Sequence, residues 1–398
     1  MRRADLERFT PRILSERRIL ATLSDPQGSN RLPAGRRIAP PAAMPPTGVF
    51  NETARVYTQR IRDPRGGFLV QHRFFAILTL VFLAVLAVAS PPLAADEKVR
   101  SAKSWVSPST PDGQPDLQGV WTNATITPFE RPDELANKAV LTPAEAAELE
   151  KRAAEGRVDR PPKPGDVGSY NQAWFDSGTK VVSTRQTSLV VDPPDGRVPV
   201  TAAAEAQRDY NAAHNADSYQ YMSVWDRCIT RGVPAGMFPA GYNNAYQILQ
   251  IPGYVVIFYE MIHETRIIPL DGRPHVSAGI RLWNGDSRGH WEGHTLVVDT
   301  TNYNSKGSIG TSAATARIKG IPQSEALHVV ERFTRTGPDT IGYEVTIDDP
   351  PMYTRPWKAA FPLSLATNYR IYEYACHEGN HAVENVLSGG RALDKAVR

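Results

Sequence analysis

From Asn244 onward, apolar and polar residues alternate with a period of two, and turn residues interrupt the alternation every 8 to 12 positions. The alternating runs are Tyr246 to Ile251, Tyr254 to Ile262, Thr265 to Leu270, Gly279 to Trp283, Thr295 to Thr301, Leu327 to Thr334, Thr340 to Ile347, Trp357 to Pro362 and Tyr369 to Ala375. Pro252-Gly253, Asp271-Gly272, Asn284-Gly285, Glu292-Gly293 and Gly337-Pro338-Asp339 punctuate them. A meander of about eight to ten strands leaves two raw edges unless it closes on itself. The pattern therefore predicts a mainly β fold, an up-and-down antiparallel barrel over residues 241–398.

Ahead of the meander the period changes. Thr142-Pro143-Ala144-Glu145 reads as a capping box with proline at the first helical position; the helix runs through Ala153, and Gly156 stops it. Ala202 to Ala213 is a second, Ala-rich helical segment, and Pro161 to Gly165 a stiff connector. Residues 96–240 are thus expected to form a helix-bearing arm that wraps the barrel.

A third pattern lies further back. After His72-Arg73 an unbroken apolar run, Phe74 to Ala89, leads into Ser90-Pro91-Pro92-Leu93-Ala94-Ala95 and the polar Asp96-Glu97-Lys98. That is the layout of a secretory signal peptide over residues 70–95, cut after Ala89 or Ala95. The run is shorter than the roughly 20 residues a spanning helix needs, which disfavours a membrane anchor and leaves none after cleavage. Residues 1–69 then require a reason of their own, either a mispredicted translation start, with Val70 as the true initiation codon, or a disordered basic leader.

Charge follows from this division. The whole chain carries 45 basic and 42 acidic residues; the first 95 hold 14 of the former and 6 of the latter, leaving 31 against 36 and a net charge of −5. The basic balance that would suggest nucleic acid disappears with the leader. A bacterial periplasmic or secreted location makes a disulfide between the two cysteines, Cys228 and Cys376, the default over two free thiols.

Leu117-Gln118-Gly119-Val120-Trp121 resembles the glycine-x-tryptophan opening strand of lipocalin-like (calycin) barrels, in which the tryptophan plugs the closed end. The resemblance implies a helix after the last strand, at Glu378 to Leu387. The segments Arg185 to Arg197, His290 to Asn302 and Tyr372 to Asn380 also resemble an uncharacterised group of secreted bacterial proteins, a likeness that carries no chemistry with it.

Candidate chemistry lies in three places. His377-Glu378-Gly379-Asn380-His381 fits H-E-x-x-H; on a helix, His377 and His381 would share a face and bind zinc while Glu378 activated water. The competing reading is a strand-to-helix corner, because Gly379 weakens a helix and the preceding residues read as strand. Glu260 to Arg266 forms the second cluster. A straight strand would put Glu260, Glu264 and Arg266 on one face and Tyr259, Met261 and His263 on the other, either as a solvated outer face or with His263 as a general base. The third is the loop Trp225 to Asn244, rich in glycine, aromatic residues and amides, placed either as a lid or as a plug.

These residues point to an enzyme acting on an amphipathic small molecule without a cofactor. His263 and His377 would supply acid/base capacity and Glu260 or Glu378 would orient them; Arg266 would hold an anionic group, with Tyr242, Asn244 and Tyr259 completing the substrate site. A hydration, elimination, isomerisation or hydrolysis suits that inventory, by a lyase, isomerase or hydrolase. The alternatives are a lipocalin-like ligand-binding protein without chemistry and a zinc hydrolase at His377 and His381. No P-loop, dinucleotide fingerprint or G-x-S-x-G elbow is present.

Overall fold

The period-two signal becomes strand nearly everywhere it was strongest. In a computed structural model of the chain, residues 105–159, 172, 175–310 and 318–397 are described. The leader at 1–69, the signal segment at 70–95 and the connector at 161–165 lie outside the described residues.

The strands are β1 (Gly119–Thr122), β2 (Val190–Asp192), β3 (Ala245–Ile251), β4 (Tyr254–Tyr259), β5 (Thr265–Pro269), β6 (Asp286–Glu292), β7 (Thr295–Thr301), β8 (Ser308–Ile309), β9 (Ile321–Pro322), β10 (His328–Gly337), β11 (Thr340–Asp348) and β12 (Trp357–Leu365). The main sheet runs β5-β4-β3-β1-β12-β11-β10-β7-β6, antiparallel, with β2 paired to β12 beside that path; β8 and β9 form a separate ladder. β1 sits between the last strand of the meander and its first, pairing Trp121 with Leu365 on one side and Tyr246 on the other. The two ends of the path, β5 and β6, pack side by side without a backbone ladder, so the protein is mainly β with a nearly closed barrel-like sheet. Gly289 of β6 marks that seam: a Cβ there would lie 2.9 Å from Ile268 of β5 and 2.7 Å from Leu270.

Strict alternation fills the interior. Val329, Glu331 and Phe333 of β10 point inward, as do Ile341, Tyr343, Val345 and Ile347 of β11. Phe333, Tyr343 and Phe361 pack ring against ring at 5.0 and 5.1 Å, the spacing at which tilted aromatic pairs attract. The middle of the Trp225 to Asn244 loop is buried with them. Ala235, Met237 and Phe238 are core residues, Phe238 lies 4.7 Å from the Phe129 ring, and Gly236 rests against the face of Tyr259, where a Cβ would come within 3.1 Å. The loop is therefore a plug.

One charged pair crosses the apolar interior. Arg266 of β5 donates from Nε to Ser287 of β6 and from Nη2 to Thr300 of β7, both at 3.0 Å, and Nη2 stands 2.6 Å from Glu331 Oε2 of β10. The Tyr343 hydroxyl donates to Glu331 Oε1 at 2.9 Å. Burial works against the Arg266 charge, but the Glu331 carboxylate outweighs it and raises the guanidinium's pKa. Burial likewise raises the phenols of Tyr259 and Tyr303 beside the pair.

The helices are α1 (Pro143–Glu155), α2 (Ala202–Ala213) and α3 (Ala382–Val397). α1 has the expected capping box, with the Thr142 hydroxyl accepting from the Glu145 N–H and the Glu145 carboxylate accepting from the Thr142 N–H. Three expectations fail locally. Gly279 to Trp283 is irregular apart from a single bridge between Leu282 and Tyr303. Tyr369 to Ala375 is irregular too: β11 and β1 already occupy both edges of β12, so the segment that follows cannot continue the meander beside it. The last helix starts at Ala382 instead of Glu378, since Gly379 adopts a left-handed φ of 64° that a helix cannot contain.

Arg266→Met should lower unfolding stability by about 3–5 kcal/mol, because it leaves Glu331 charged and dry. In guanidinium titrations the double variant Arg266→Met/Glu331→Leu should regain most of that loss.

Candidate functional site

Three separate segments meet at one side of the plug. Cys228 and Cys376 are joined in a disulfide with a Cα separation of 5.7 Å, tying the Trp225 to Asn244 segment to the segment that follows β12. The third partner is the corner between β4 and β5, closed by a hydrogen bond from the Tyr259 N–H to the Glu264 carbonyl. This corner ends the strand at Tyr259, so the parity expected of a straight strand is lost: Tyr259 and Arg266 both face the interior.

Glu260 is buried at the junction and acts as its fastener. Its Oε1 accepts from the Asn243 amide at 2.5 Å and the Tyr369 hydroxyl at 2.8 Å, while Oε2 accepts from the Tyr372 N–H at 3.3 Å. Burial and then the Glu260 hydrogen bond raise the Tyr369 phenol. With three donors engaged, Glu260 holds the tail of the chain against the corner.

His263 is exposed, and its Nδ1 lies 2.7 Å from the Tyr374 carbonyl oxygen. A carbonyl only accepts, so Nδ1 carries the proton in this contact and the neutral ring keeps its lone pair on Nε2. Backbone strain gathers around it. Among the described residues six non-glycine residues have a left-handed φ, and four of them belong to this junction: Cys228 at 54°, Asn243 at 54°, Ile262 at 61° and His263 at 40°. Ile262 is β-branched, which makes its conformation the costliest of the four.

Arg231 is the residue that the sequence reading passed over. It is 3% exposed, and its Nε and Nη2 have no hydrogen-bond partner. Its guanidinium stands 5.4 Å from the centre of the Trp225 ring, near the phenols of Tyr246, Tyr242 and Tyr374, and burial lowers its pKa. Tyr242 is half-buried between Trp225, at 6.1 Å, and Tyr374, on which it stacks at 6.3 Å and 15°. An arginine immediately before the small-residue run Gly232-Val233-Pro234-Ala235-Gly236 was the available signal.

The junction thus unites Glu260, His263 and Tyr242 of the expected site. Asn244 lies next to it as a clamp, its amide group donating to Asp176 at 2.7 Å and accepting from the Ala240 N–H at 2.7 Å. Tyr259 and Arg266 belong to the barrel interior. His377, Glu378 and His381 are exposed at the turn before α3, so the two imidazoles do not share a helical face; His381 lies 3.6 Å from Glu384. Glu260, His263 and His377 therefore do not converge on a cavity inside the barrel. Among the described residues no group of three or more His, Cys, Asp or Glu is arranged to hold a metal ion, and no helix is long and apolar enough to cross a membrane.

A second polar cluster sits on the outer face of β6, β7 and β10. His275 bridges Asp286, at 3.0 Å, and Asp299, at 2.8 Å; His328 meets the other oxygen of Asp299 at 2.7 Å. The bond to Asp299 raises the His328 pKa, and the bond from His328, followed by that from His275, holds the Asp299 carboxyl below its usual range. These contacts strap the loop between β5 and β6 to the sheet.

No family model matches the chain, nor does any curated protein or solved structure.

Two measurements check this geometry. The Cys228→Ser/Cys376→Ser double variant should lose up to about 5 kcal/mol of unfolding stability, the loop entropy of a 148-residue crosslink. The strap contributes fully between about pH 4 and about pH 6.5; it fades as pH rises through the raised His328 value and as pH falls through the lowered Asp299 value. The melting-temperature gap between wild type and Asp299→Asn should accordingly be widest near pH ~5.5 and narrow toward pH ~9.

Proposed function

We propose that the protein is an exported lipocalin-type barrel, preceded by a helix-bearing arm, that binds an amphipathic small molecule at the disulfide junction and moves a proton on it with His263. The reaction class is a cofactor-independent hydration, elimination, isomerisation or hydrolysis. Support for the barrel type comes from β1, which enters between β3 and β12 and buries Trp121 completely. Support for export comes from the run at Phe74 to Ala89 and from the crosslinked cysteines, which suit an oxidising compartment.

The observation that carries the reading is the strained corner that presents His263. Its backbone is held in an unfavourable conformation, its Nδ1 is anchored to a carbonyl, and its Nε2 is left open. A base oriented through its second nitrogen is the arrangement general-base catalysis needs. The stacked Tyr242 and Tyr374 offer an apolar wall close by, and Arg231, with two guanidinium nitrogens free of hydrogen bonds, biases the site toward anions. The packed barrel interior moves the ligand to this rim. Saturation of Glu260 by three donors favours a second reading, a binding protein that performs no chemistry.

The test is proton exchange. Wild type and His263→Gln are incubated in D2O with a panel of arylalkyl carboxylates and enones, and loss of carbon-bound protons is followed by 1H NMR. Wild type should deuterate at least one member, and His263→Gln should do so about 100-fold more slowly or less, with an unchanged melting temperature. Equal exchange by the two proteins excludes His263 as the base; ligands that raise the melting temperature without exchange support the second reading.

A further inference from the structure

Away from the junction, a groove of about 700 Å³ opens between α2, the segment from Tyr219 to Arg227, and the β8–β9 ladder. That volume suits a small organic ligand. Met222 and Val224 are buried in its floor, Tyr219 and Trp283 stand in its walls, and the side chains of Arg227, Lys306 and Lys319 surround it.

The charges are unequally engaged. Of the two acids in the lining, Asp209 is taken by the Nε of Arg208 at 2.8 Å, and Asp226 accepts from the hydroxyl of Ser223 at 2.7 Å and from no cation. Among the described residues Arg227, Lys306 and Lys319 make no ion pair. The nearest polar contact of Arg227 Nε is the Ser223 carbonyl at 3.5 Å, and burial lowers its pKa. The Ser308 hydroxyl in the same lining is buried without a hydrogen-bond partner. Three unpaired cations, an orphan hydroxyl, an apolar floor and two aromatic walls form a combination that nothing among the described residues satisfies.

We propose that this groove is a binding site for an aromatic anion, with Tyr219 and Trp283 against the ring system and Arg227, Lys306 and Lys319 on the anionic group. It is independent of the His263 reading: it meets the junction's Trp225 to Asn244 segment only at its start, through Arg227, and uses none of the residues that surround His263.

The probe is 8-anilinonaphthalene-1-sulfonate, an aromatic anion, set against N-phenyl-1-naphthylamine, the same ring skeleton without the sulfonate. Fluorescence titration of the wild-type chain should show a saturable sulfonate site that weakens as salt rises, and the neutral analogue should bind there at least about 10-fold more weakly. Lys306→Glu/Lys319→Glu should weaken sulfonate binding at least about 10-fold, whereas His263→Gln should leave it unchanged. Equal binding of the two probes, or full sulfonate affinity in the double lysine variant, overturns the proposal. A variant that fails to fold does not shelter it: on 15N-labelled wild type the sulfonate must shift the amides of Met222, Gly307 and Gly320, and shifts confined to other regions overturn it equally.

Discussion

An antiparallel sheet whose two end strands do not pair can close only if its inner face supplies the missing contact, and Arg266 supplies it. From β5 the guanidinium reaches β6 through Ser287, β7 through Thr300 and β10 through Glu331, so one side chain spans the seam that the backbone leaves open. Taking that charge out of water is costly, and the cost is tolerable only because a carboxylate and two hydroxyls meet it. Around the pair the interior is filled by alternating apolar residues from β10, β11 and β12 and capped by the plug at Ala235 to Phe238. A barrel-like sheet built in this way is filled by its own core. Both candidate sites, the junction and the groove beside α2, lie outside that core.

This displacement explains where the unusual residues collect. Strained backbone, a buried arginine with two guanidinium nitrogens free of hydrogen bonds and an anchored histidine all occur on the rim, where the plug, the β4–β5 corner and the tail of the chain converge. The disulfide and the three hydrogen bonds onto Glu260 hold that convergence in place. Left-handed residues such as Ile262 persist only when surrounding contacts over-determine them, and these are the contacts that do so. The strap of His275, Asp299 and His328 performs a related task on the opposite strands, pinning a long loop whose own hydrogen bonds are few.

Legibility in the sequence followed the range of each interaction. The helix at Pro143–Glu155 was readable because its capping box and proline act within four residues, and Ala202–Ala213 for a similar reason. Most barrel strands were readable because one side of each is dry. β6 was missed because its inward positions are Ser287, Gly289 and the half-buried Trp291, so the apolar signal of its dry side vanishes. The seam demands those small residues, since Ile268 and Leu270 leave no space for more. Tyr369 to Ala375 has strand composition, but both edges of the preceding strand β12 are already paired. Of the expected site residues, Glu260, His263 and Tyr242 came together through the disulfide, while Arg266 and Tyr259 went to the interior, because a kink at Ile262 shifts the alternation by one.

By itself, the sequence determined the elements whose energies are local: the capped helices, the alternating strands and their turns, and a cysteine pair suited to an oxidising compartment. Tertiary structure alone decided which face of each strand is the inside, what closes the seam, and whether the loop before β3 is a lid or a plug. These depend on pairings between residues far apart in the chain, such as Arg266 with Glu331 or His263 with Tyr374, and burial assigns their energy only once the sheet has formed. Arg231 makes the difference plain, being one more arginine in the sequence and, in the folded protein, a buried guanidinium with two nitrogens free of hydrogen bonds.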